Sequence, residues 1–230
     1  MRVAIIPARG GSKRIPRKNV KLFNGRPAIS YPIEVAIAAR CFDRIIVSTD
    51  DDEIAQVALR YGADVPFMRP LELSDDYATT MDVVQHAIES LELQGQHPEW
   101  VCCIYATAIF LQSDDLCRGW DLLQRQDADF AFSVTSYAFP IQRAIRITQD
   151  GKVAMFQPEY QTTRSQDLEH AYHDAGQFYW GKAAAFSSRS PIFSERAVPV
   201  VLPRYRVQDI DTQEDWVQAE LMYQAITSAK

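Results

Sequence analysis

Residues 2–19 have the sequence R-V-A-I-I-P-A-R-G-G-S-K-R-I-P-R-K-N. The apolar run 3–6 predicts a buried strand, which ends at Pro7 and passes into a loop containing Gly10-Gly11-Ser12. The first 33 residues carry eight of the 24 Lys and Arg side chains and neither Asp nor Glu. Because glycine lets a ligand approach the backbone and cationic side chains neutralise phosphate oxygens, this stretch predicts a polyphosphate site.

A solvated basic loop is the alternative interpretation of this stretch, because charge clusters are often no more than exposed surface. The phosphate-binding patterns G-x-x-x-x-G-K-[ST] and G-x-G-x-x-G are both absent from the sequence. The cationic run nevertheless begins at the C-terminal end of the first predicted strand, which is where open α/β sheets bind ligands. That position favours a ligand site over a bare surface loop.

Composition limits the classes of protein that the chain can belong to. With 230 residues, 47% of them hydrophobic, it is typical of a globular protein and compatible with one domain over residues 1–230. A net charge of −6 argues against general nucleic-acid binding and favours a small anionic ligand for the basic stretch. No apolar window approaches the roughly 18 residues of a membrane span, and the N-terminal apolar run is too short for a signal peptide. The four cysteines lack C-x-x-C spacing and predict free thiols, so we expect a cytoplasmic protein without membrane or nucleic-acid partners.

Strands and helices alternate along the first half of the chain. Apolar runs predict strands at 44–48, 64–68, 100–105 and 129–135. Helical spacing of apolar residues predicts helices at 29–40, at 54–61, from Thr79 or Thr80, and at 114–124 with Ser113 as the N-cap. This alternation predicts an α/β fold of βαβ units with a mostly parallel sheet.

The pattern changes over residues 137–175, a segment that we call the excursion. It contains no clean helical pattern, and the runs 145–147 and 152–156 on either side of a Gln149-Asp150-Gly151 turn predict a hairpin. Because the excursion is too poor in periodic apolar residues to form its own core, we expect it to contact a second subunit and part of the substrate pocket. Beyond it the sequence predicts strands at 178–180 and 198–202 and a last helix from Thr212.

Two acidic clusters could each hold a metal ion. Asp50-Asp51-Asp52 follows the second strand, where a helix N-cap with an acidic first turn is the favoured interpretation and the D-x-D metal site of glycosyltransferases is the alternative. In Asp209-Ile210-Asp211, extended backbone would point both carboxylates to one side and Ile210 to the core. Two carboxylates with phosphate oxygens suit Mg²⁺, whereas capping of the last helix by Asp211 or Thr212 would explain only one member of the pair.

Four motifs together resemble one family of enzymes. The basic stretch has the form A-R-x-x-S-K-x-x-P-x-K-N, and D-I-D-T at 209–212 precedes the last helix. Between them lie I-V-S-T-D at 46–50 and R-P followed by L-S-D-D-Y-A-T-T, which ends at Thr80. This set is similar to the nonulosonate cytidylyltransferases, the CMP-sialic acid synthetase family, over most of the chain. The resemblance implies a Rossmann-like nucleotidyltransferase sheet and a homodimer whose excursion reaches into the partner's active site.

The resemblance also implies roles for individual residues, with CTP and a nonulosonic acid as substrates and Mg²⁺ as cofactor. The catalytic set would be Arg9, Lys13, Lys18 and Asp211. The metal ligands would be Asp209 and Asp211. The nucleotide would be bound by Ala8, Arg9, Gly10, Ser12, Asn19, Arg69, Ala78, Thr80 and Tyr105. Candidates for the sugar site are Gln142, Arg143, Arg164, His173, Gln177 and Tyr179.

Two segments point to one branch of the family. Residues 105–112 and 164–181 depart from the sialic acid pattern and look like the branch that acts on pseudaminic acid, so we expect CMP-pseudaminic acid and pyrophosphate as products. Tyr105, Phe178 and Tyr179 could supply an apolar surface for this sugar. N-acetylneuraminic or legionaminic acid is the alternative substrate. A metal-dependent glycosyltransferase and a non-catalytic nucleotide-binding protein are alternatives of other classes.

Overall fold

A six-stranded sheet organises the computed structural model, which describes residues 1–228. The strands are β1 (Arg2–Pro7), β2 (Leu22–Phe23), β3 (Arg26–Pro27), β4 (Arg44–Ser48), β5 (Trp100–Ile104), β6 (Phe130–Ser136), β7 (Ile145–Ile147), β8 (Val153–Met155), β9 (Tyr172–Lys182) and β10 (Ala197–Val201). The helices are α1 (Ser30–Ala39), α2 (Asp52–Arg60), α3 (Thr80–Leu93), α4 (Ser113–Arg125), α5 (Ala183–Ser187) and α6 (Gln213–Ser228). The prediction that residues 1–230 form one domain stays a prediction, and residues 229–230 lie outside the described chain.

The sheet has the strand order β10-β6-β9-β5-β1-β4. Its neighbouring pairs are parallel except where β9 runs antiparallel between β5 and β6. The predicted α/β fold with a mostly parallel sheet is therefore confirmed. Because β1, β4 and β5 run in one direction side by side, the loops that follow them meet at one edge of the sheet.

Helices cover both faces of the sheet, which is why its central strands are continuous apolar runs. Val101–Ile104 of β5 is fully buried. On one face Phe178 and Trp180 of β9 pack closely against Gly119 of α4, where an added Cβ would lie 2.9 Å from either ring. On the other face α3 and α5 pack against a second apolar layer that includes Tyr179.

Helix α6 closes a third apolar cluster near the start of the chain. Phe23 makes edge-to-face contacts with Tyr31, Trp216 and Tyr223, at centroid distances of 5.5 to 5.7 Å. Ile210 is fully buried in this cluster, as the alternation in the D-I-D-T motif predicts. This packing brings residues 209–212 beside the loop that follows β1.

Two predicted elements differ in the structure. Residues 64–68 do not form a strand and make only isolated parallel bridges from Asp64 and Met68. Pro66 lies between those bridges and has no N–H for a continuous ladder. Ser113 is the first residue of α4 rather than its cap, and Gln112 precedes it without a side-chain capping hydrogen bond.

The excursion contains the predicted hairpin, formed by β7 and β8. It ends earlier than predicted, because Tyr172 already belongs to β9 and pairs with Ser136 of β6. Apolar side chains lie exposed on it, among them Phe139, Ile147 and Phe156. In the described part of the chain, no helix is both long and apolar enough to cross a membrane.

Candidate functional site

The loop of residues 8–19, which we call the phosphate loop, is held by hydrogen bonds to neighbouring elements. The Ala8 N–H donates to the Ser48 carbonyl at 2.9 Å, and the buried Asn19 donates from Nδ2 to the Arg9 carbonyl at 3.0 Å. The Gly10 N–H donates to Oδ1 of Asp50 at 3.0 Å. These bonds fix the loop at the C-terminal edge of β1 and β4, where the sequence predicts a ligand.

The structure joins the basic stretch to the D-I-D-T motif at the other end of the chain. Lys18 donates from Nζ to the Ile210 carbonyl at 2.6 Å and lies 3.4 Å from Oδ1 of Asp211. Arg14 pairs with the same carboxylate at 2.9 Å. Two motifs separated by most of the sequence therefore form one charged cluster.

Capping of α6 does not use the carboxylates of Asp209 or Asp211. The Thr212 hydroxyl accepts from the Asp215 N–H at 3.2 Å, and Asp215 accepts from the Thr212 N–H at 2.7 Å. This reciprocal arrangement is a capping box, which satisfies the first turn without help from other side chains. Of the two capping candidates, Thr212 therefore caps the helix and the Asp211 side chain does not.

The Asp209 and Asp211 pair fits a divalent cation in its donor chemistry. Although Asp209 is exposed, protein atoms crowd its carboxyl group, and this partial desolvation, together with the charge of Asp211, raises the pKa of Asp209. A cation would relieve that repulsion. No group of three or more acidic, His or Cys side chains suited to a metal occurs among residues 1–228. Two carboxylates completed by phosphate oxygens and water are, however, a common arrangement for Mg²⁺.

Two adjoining cavities open over the phosphate loop. The polar cavity, of about 250 Å³, is lined by residues that include Arg9, Lys18, Asn19, Arg69, Ala78, Thr80 and Tyr105. The basic cavity, of about 510 Å³, is lined by Arg9, Ser12, Lys13, Arg14, Lys18, Asn19, Asp76 and Asp211. Because the two share Arg9, Lys18, Asn19 and Asp76, one extended ligand can occupy both.

Arg69 is the most buried cation of the polar cavity. Its side chain is 3% exposed, and its Nε donates to the Ser74 hydroxyl at 3.1 Å. Burial lowers its pKa, which the nearby Asp50 carboxylate, 3.7 Å from Nη2, partly offsets. A buried guanidinium with spare donors is suited to bind oxygen or nitrogen acceptors of a ligand in this cavity.

Asp76 bridges the cations of the basic cavity. Its carboxylate pairs with Arg9 at 2.7 Å and also with Lys13. These hydrogen bonds lower the pKa of Asp76. In the ligand-free protein a carboxylate thus holds the two cations that the sequence assigns to a polyphosphate.

An apolar cavity of about 210 Å³ adjoins the polar cavity and shares Thr80 and Tyr105 with it. Its other lining residues are Met81, Cys103, Asp174, Tyr179, Phe186, Ile192 and Phe193. The Thr80 and Tyr105 hydroxyls lie 3.3 Å apart, and the Tyr179 hydroxyl donates to Asp174. Burial raises the pKa of both tyrosines, so both phenols remain protonated.

The predicted sugar residues fall into two groups. Gln177 and Tyr179 lie on β9 next to Tyr105, whose N–H donates to the Gln177 carbonyl at 2.9 Å. Gln142 and Arg143 donate instead to carbonyls within the excursion, at Glu169 and Thr163. The remaining two are Arg164, which is exposed, and His173, whose ring lies 4.8 Å from that of Tyr137. Within one protomer, the six predicted sugar residues therefore do not all lie at one cavity.

Some expected residues lie behind the cavities rather than in them. The Ala8 side chain is buried, and Gly10 uses its N–H for Asp50. Phe178 faces α4 and not the apolar cavity, because side chains alternate along β9. The expectation that Phe178 contacts the sugar is wrong in this respect, and Phe193 supplies the apolar surface instead.

Sequence reasoning missed several acidic partners. Asp76 and Asp174 line cavities, and Asp50 contacts both Gly10 and Arg69. The signal for Asp76 was its place in the L-S-D-D-Y-A-T-T segment, two residues before Ala78. Asp50 likewise follows a strand end directly. Asp174 follows His173 in a polar stretch, but its pairing with Tyr179 is defined only by the fold.

Comparisons with known proteins agree with this geometry. A family model described as cytidylyltransferase matches residues 3–229. Pseudaminic acid cytidylyltransferase of Campylobacter jejuni subsp. jejuni serotype O:2 is 48% identical over 221 residues, which are 96% of this chain and 95% of that protein. CMP-N,N'-diacetyllegionaminic acid synthase of Legionella pneumophila subsp. pneumophila is 31% identical over 95% of this chain and 94% of that protein. The solved structure of CMP:2-keto-3-deoxy-manno-octonic acid synthetase complexed with CTP superposes with a TM-score of 0.70 at 16% identity, covering 97% of this chain and 99% of that chain. The last comparison confirms the expected nucleotidyltransferase fold.

Proposed function

Because the chain belongs to the cytidylyltransferase family, we propose that it transfers the cytidylyl group of CTP to pseudaminic acid, giving CMP-pseudaminic acid and pyrophosphate. The observation that carries this proposal is the adjacency of three cavities. The basic, polar and apolar cavities suit, in that order, a triphosphate, a nucleoside and a sugar. They share residues at each junction, Arg9 and Lys18 at one and Thr80 and Tyr105 at the other.

CTP fits across the polar and basic cavities. Arg69 and Asn19 offer donors for the oxygen and nitrogen acceptors of cytidine. Arg9, Lys13 and Lys18 neutralise the triphosphate, which takes the place that the Asp76 carboxylate holds in the free protein. Because the triphosphate replaces the Asp76 carboxylate, Arg9 and Lys13 are paired with an anion both before and after CTP binds.

The reaction needs positioning and charge neutralisation more than covalent help from the protein. The anomeric hydroxyl of the sugar attacks the α-phosphorus, a new P–O bond forms, and the bond to the bridging oxygen of pyrophosphate breaks. The hydroxyl proton passes to a base, for which Asp211 is the candidate because its carboxylate faces the basic cavity. Arg9 and Lys13 stabilise the negative charge that develops on the leaving pyrophosphate.

Asp209 and Asp211 would hold Mg²⁺ in this proposal. When bound, the ion polarises the α-phosphate and favours ionisation of the attacking hydroxyl. Arg14 and Lys18, which pair with Asp211 in the free protein, can then turn toward phosphate oxygens.

The apolar cavity suits pseudaminic acid in its polarity. Compared with N-acetylneuraminic acid, this sugar lacks a 9-hydroxyl and carries a second N-acyl group, so it presents methyl groups where N-acetylneuraminic acid presents hydroxyls. Met81, Ile192 and Phe193 provide apolar contacts for such groups. Asp174, held by Tyr179, provides one acceptor for an N–H group. An apolar pocket of this kind disfavours an analogue with an added hydroxyl by about a hundredfold.

The excursion completes the site from a second subunit in this proposal. Its Gln142, Arg143 and Arg164 lie away from the cavities of their own protomer, and its exposed apolar side chains need a cover. A homodimer would supply that cover and bring these donors to the partner's sugar. The free cysteines fit the expected reducing cytoplasm, where CTP is available.

The experiment that tests the function is pyrophosphate release from CTP and Mg²⁺ with pseudaminic, legionaminic or N-acetylneuraminic acid. We expect kcat/KM to be largest for pseudaminic acid, by about a hundredfold over N-acetylneuraminic acid, which differs from it in two hydrogen-bonding groups. UTP in place of CTP is the control for base selection. A preference for N-acetylneuraminic acid would overturn the sugar assignment, and absence of pyrophosphate with all three sugars would overturn the reaction.

A further inference from the structure

The acidic run at 50–52 faces the back of the phosphate loop, and its members make different contacts. Asp50 accepts from the Gly10 N–H at 3.0 Å and lies 3.7 Å from Arg69. Asp51 accepts from the Ile54 N–H at 3.0 Å as the N-cap of α2. Asp52 begins the helix and is exposed. The cap at Asp51 and the acidic first turn confirm the capping interpretation.

We propose that Asp50 and Asp51 are positioning residues that set the affinity for the nucleoside triphosphate, Asp50 by joining the phosphate loop to Arg69 and Asp51 by holding the loop at Arg17. The inference rests on the proposed function, because it takes the polar and basic cavities as the CTP site. It assigns no contact with substrate to either carboxylate. Each acts through a residue that lines a cavity or shapes the loop.

Asp50 links two parts of the nucleotide site through one carboxylate. Its side chain is 15% exposed and lies between the loop backbone at Gly10 and the buried guanidinium of Arg69. Arg69 has no closer carboxylate among the described residues, so its charge depends on Asp50 for compensation. Loss of that charge leaves a buried cation without an anionic partner, which is costly and favours a changed side-chain position.

Asp51 clamps the same loop from the side. It forms a bidentate ion pair with Arg17, which also pairs with Glu53. Arg17 has a φ of 57°, a left-handed conformation that is uncommon outside glycine and needs support from its surroundings. The hydrogen bond from Arg17 lowers the pKa of Asp51, so the pair stays ionised at neutral pH.

Gly10 shows how closely the phosphate loop approaches the Asp51 side chain. A Cβ added to Gly10 would lie 2.6 Å from Oδ2 and 3.0 Å from Cβ of Asp51, whereas one added to Gly11 meets nothing within 4 Å. Only the first glycine is therefore required for contact with the acidic run. The loop is placed by Asp50 and Asp51 before any ligand binds.

The test uses Asp50→Asn and Asp51→Asn, with Asp52→Asn as the matched control from the same run. Asparagine keeps an acceptor for Gly10 and remains a good N-cap, so α2 is preserved while the ion pairs are lost. We expect Kd for CTP by calorimetry, and KM for CTP, to rise about tenfold in the first two variants, because each loses the carboxylate charge that is paired with Arg69 or Arg17. The value of kcat and the KM for the sugar should change less than about threefold, and Asp52→Asn should match the wild type.

Three results would overturn the inference. One is an unchanged Kd for CTP in both variants, even if Tm falls, because the carboxylates would then be structural only. Another is a fall in kcat with unchanged KM for CTP, which would indicate a smaller fraction of folded enzyme. The third is an equal effect from Asp52→Asn. A wild-type chain that binds CTP without releasing pyrophosphate overturns the reaction alone, and one that binds no CTP overturns both proposals.

Discussion

At the scale of single residues, carboxylates form ion pairs with the cations of the basic stretch and so orient them. Lys13 is held by Asp76, Arg17 by Asp51 and Lys18 by Asp211. Surface ion pairs of this kind contribute little to stability, so their value is in orientation. These ion pairs offset the repulsion among the cationic side chains of the phosphate loop, and they fix the loop before any ligand binds.

The carboxylates of the D-I-D-T motif give the first prediction. Asp209→Asn and Asp211→Asn should each lower kcat by about a hundredfold or more, since charge stabilisation at the phosphate is lost. Each should fold normally, because neither carboxylate caps α6. Steady-state rates at limiting Mg²⁺ check this, with circular dichroism as the folding control. Wild-type turnover in both variants would show that the metal assignment is wrong.

A second prediction ranks the cations of the phosphate loop. Arg9→Ala and Lys18→Ala should reduce kcat/KM for CTP by more than Arg14→Ala, because Arg9 and Lys18 line both the polar and the basic cavities. Arg14 lines only the basic cavity, and its side chain is 66% exposed. Calorimetry should also show tighter binding of CTP than of CMP. Equal affinities for the two nucleotides would contradict a triphosphate site here.

At the scale of elements, the ends of helices and strands place the site. Helix α3 starts at Thr80, which lines the polar and apolar cavities, and a capping box between Thr79 and Asp82 fixes that start. Strand β9 carries Tyr179 toward the apolar cavity and Trp180 toward α4. The geometry of each element therefore decides which cavity a side chain reaches.

The capping box of α3 predicts a dependence of stability on pH. The hydrogen bonds that Asp82 accepts from Thr79 lower the pKa of Asp82 below its ordinary value of 3.8. The stabilisation is therefore present above the ordinary pKa and is lost as pH falls through the lower, folded-state pKa. The difference in Tm between wild type and Asp82→Asn should be largest near pH 7 and should close as pH falls below about 3.8. A difference that stays constant between pH 7 and pH 3 would contradict this.

A glycine in β9 tests the packing of the sheet. A Cβ added to Gly181 would lie 2.6 Å from Phe130 and 2.8 Å from Phe186. Gly181→Ala should lower the free energy of unfolding by about 1–3 kcal/mol, the usual cost of an overpacked core. Gly11→Ala, where the added carbon has open space, is the control and should change this free energy much less. Equal effects in urea titrations of the two variants would refute the packing argument.

At the scale of the whole molecule, the excursion is the segment that the core leaves uncovered. Phe139 is 82% and Ile147 79% exposed. Exposed apolar groups that cluster on one projecting segment are typical of an interface. The sheet buries its two apolar faces against the helices that cover them.

The last prediction concerns this surface. Light scattering at micromolar concentration should report a dimer, and Ile147→Glu should shift it toward monomer because a charge would be buried at the interface. If the excursion completes the partner's site, kcat/KM for the sugar should fall with dimer content, while CTP binding should persist. Val217→Glu, at an exposed position of α6 outside the excursion, is the control substitution. A fully active monomer would remove both the dimer and the shared site.

The sequence by itself determined the family, the α/β class and the two charged motifs. These follow from local order: apolar runs that define strands, glycines and cations after β1, and an alternating Asp pair before α6. The family model over residues 3–229 confirms the resemblance drawn from those motifs. Local patterns were enough to identify these motifs, because the residues that define each motif are neighbours in the chain.

Only the tertiary structure decided which side chains meet. Lys18 reaches Asp211 because α6 packs beside the phosphate loop, and Phe178 faces away from the apolar cavity because of the register of β9. Asp50 became a partner of Gly10 because β1 and β4 are parallel neighbours whose ends meet. Strand order and register are long-range properties, and a pattern of neighbouring residues does not encode them.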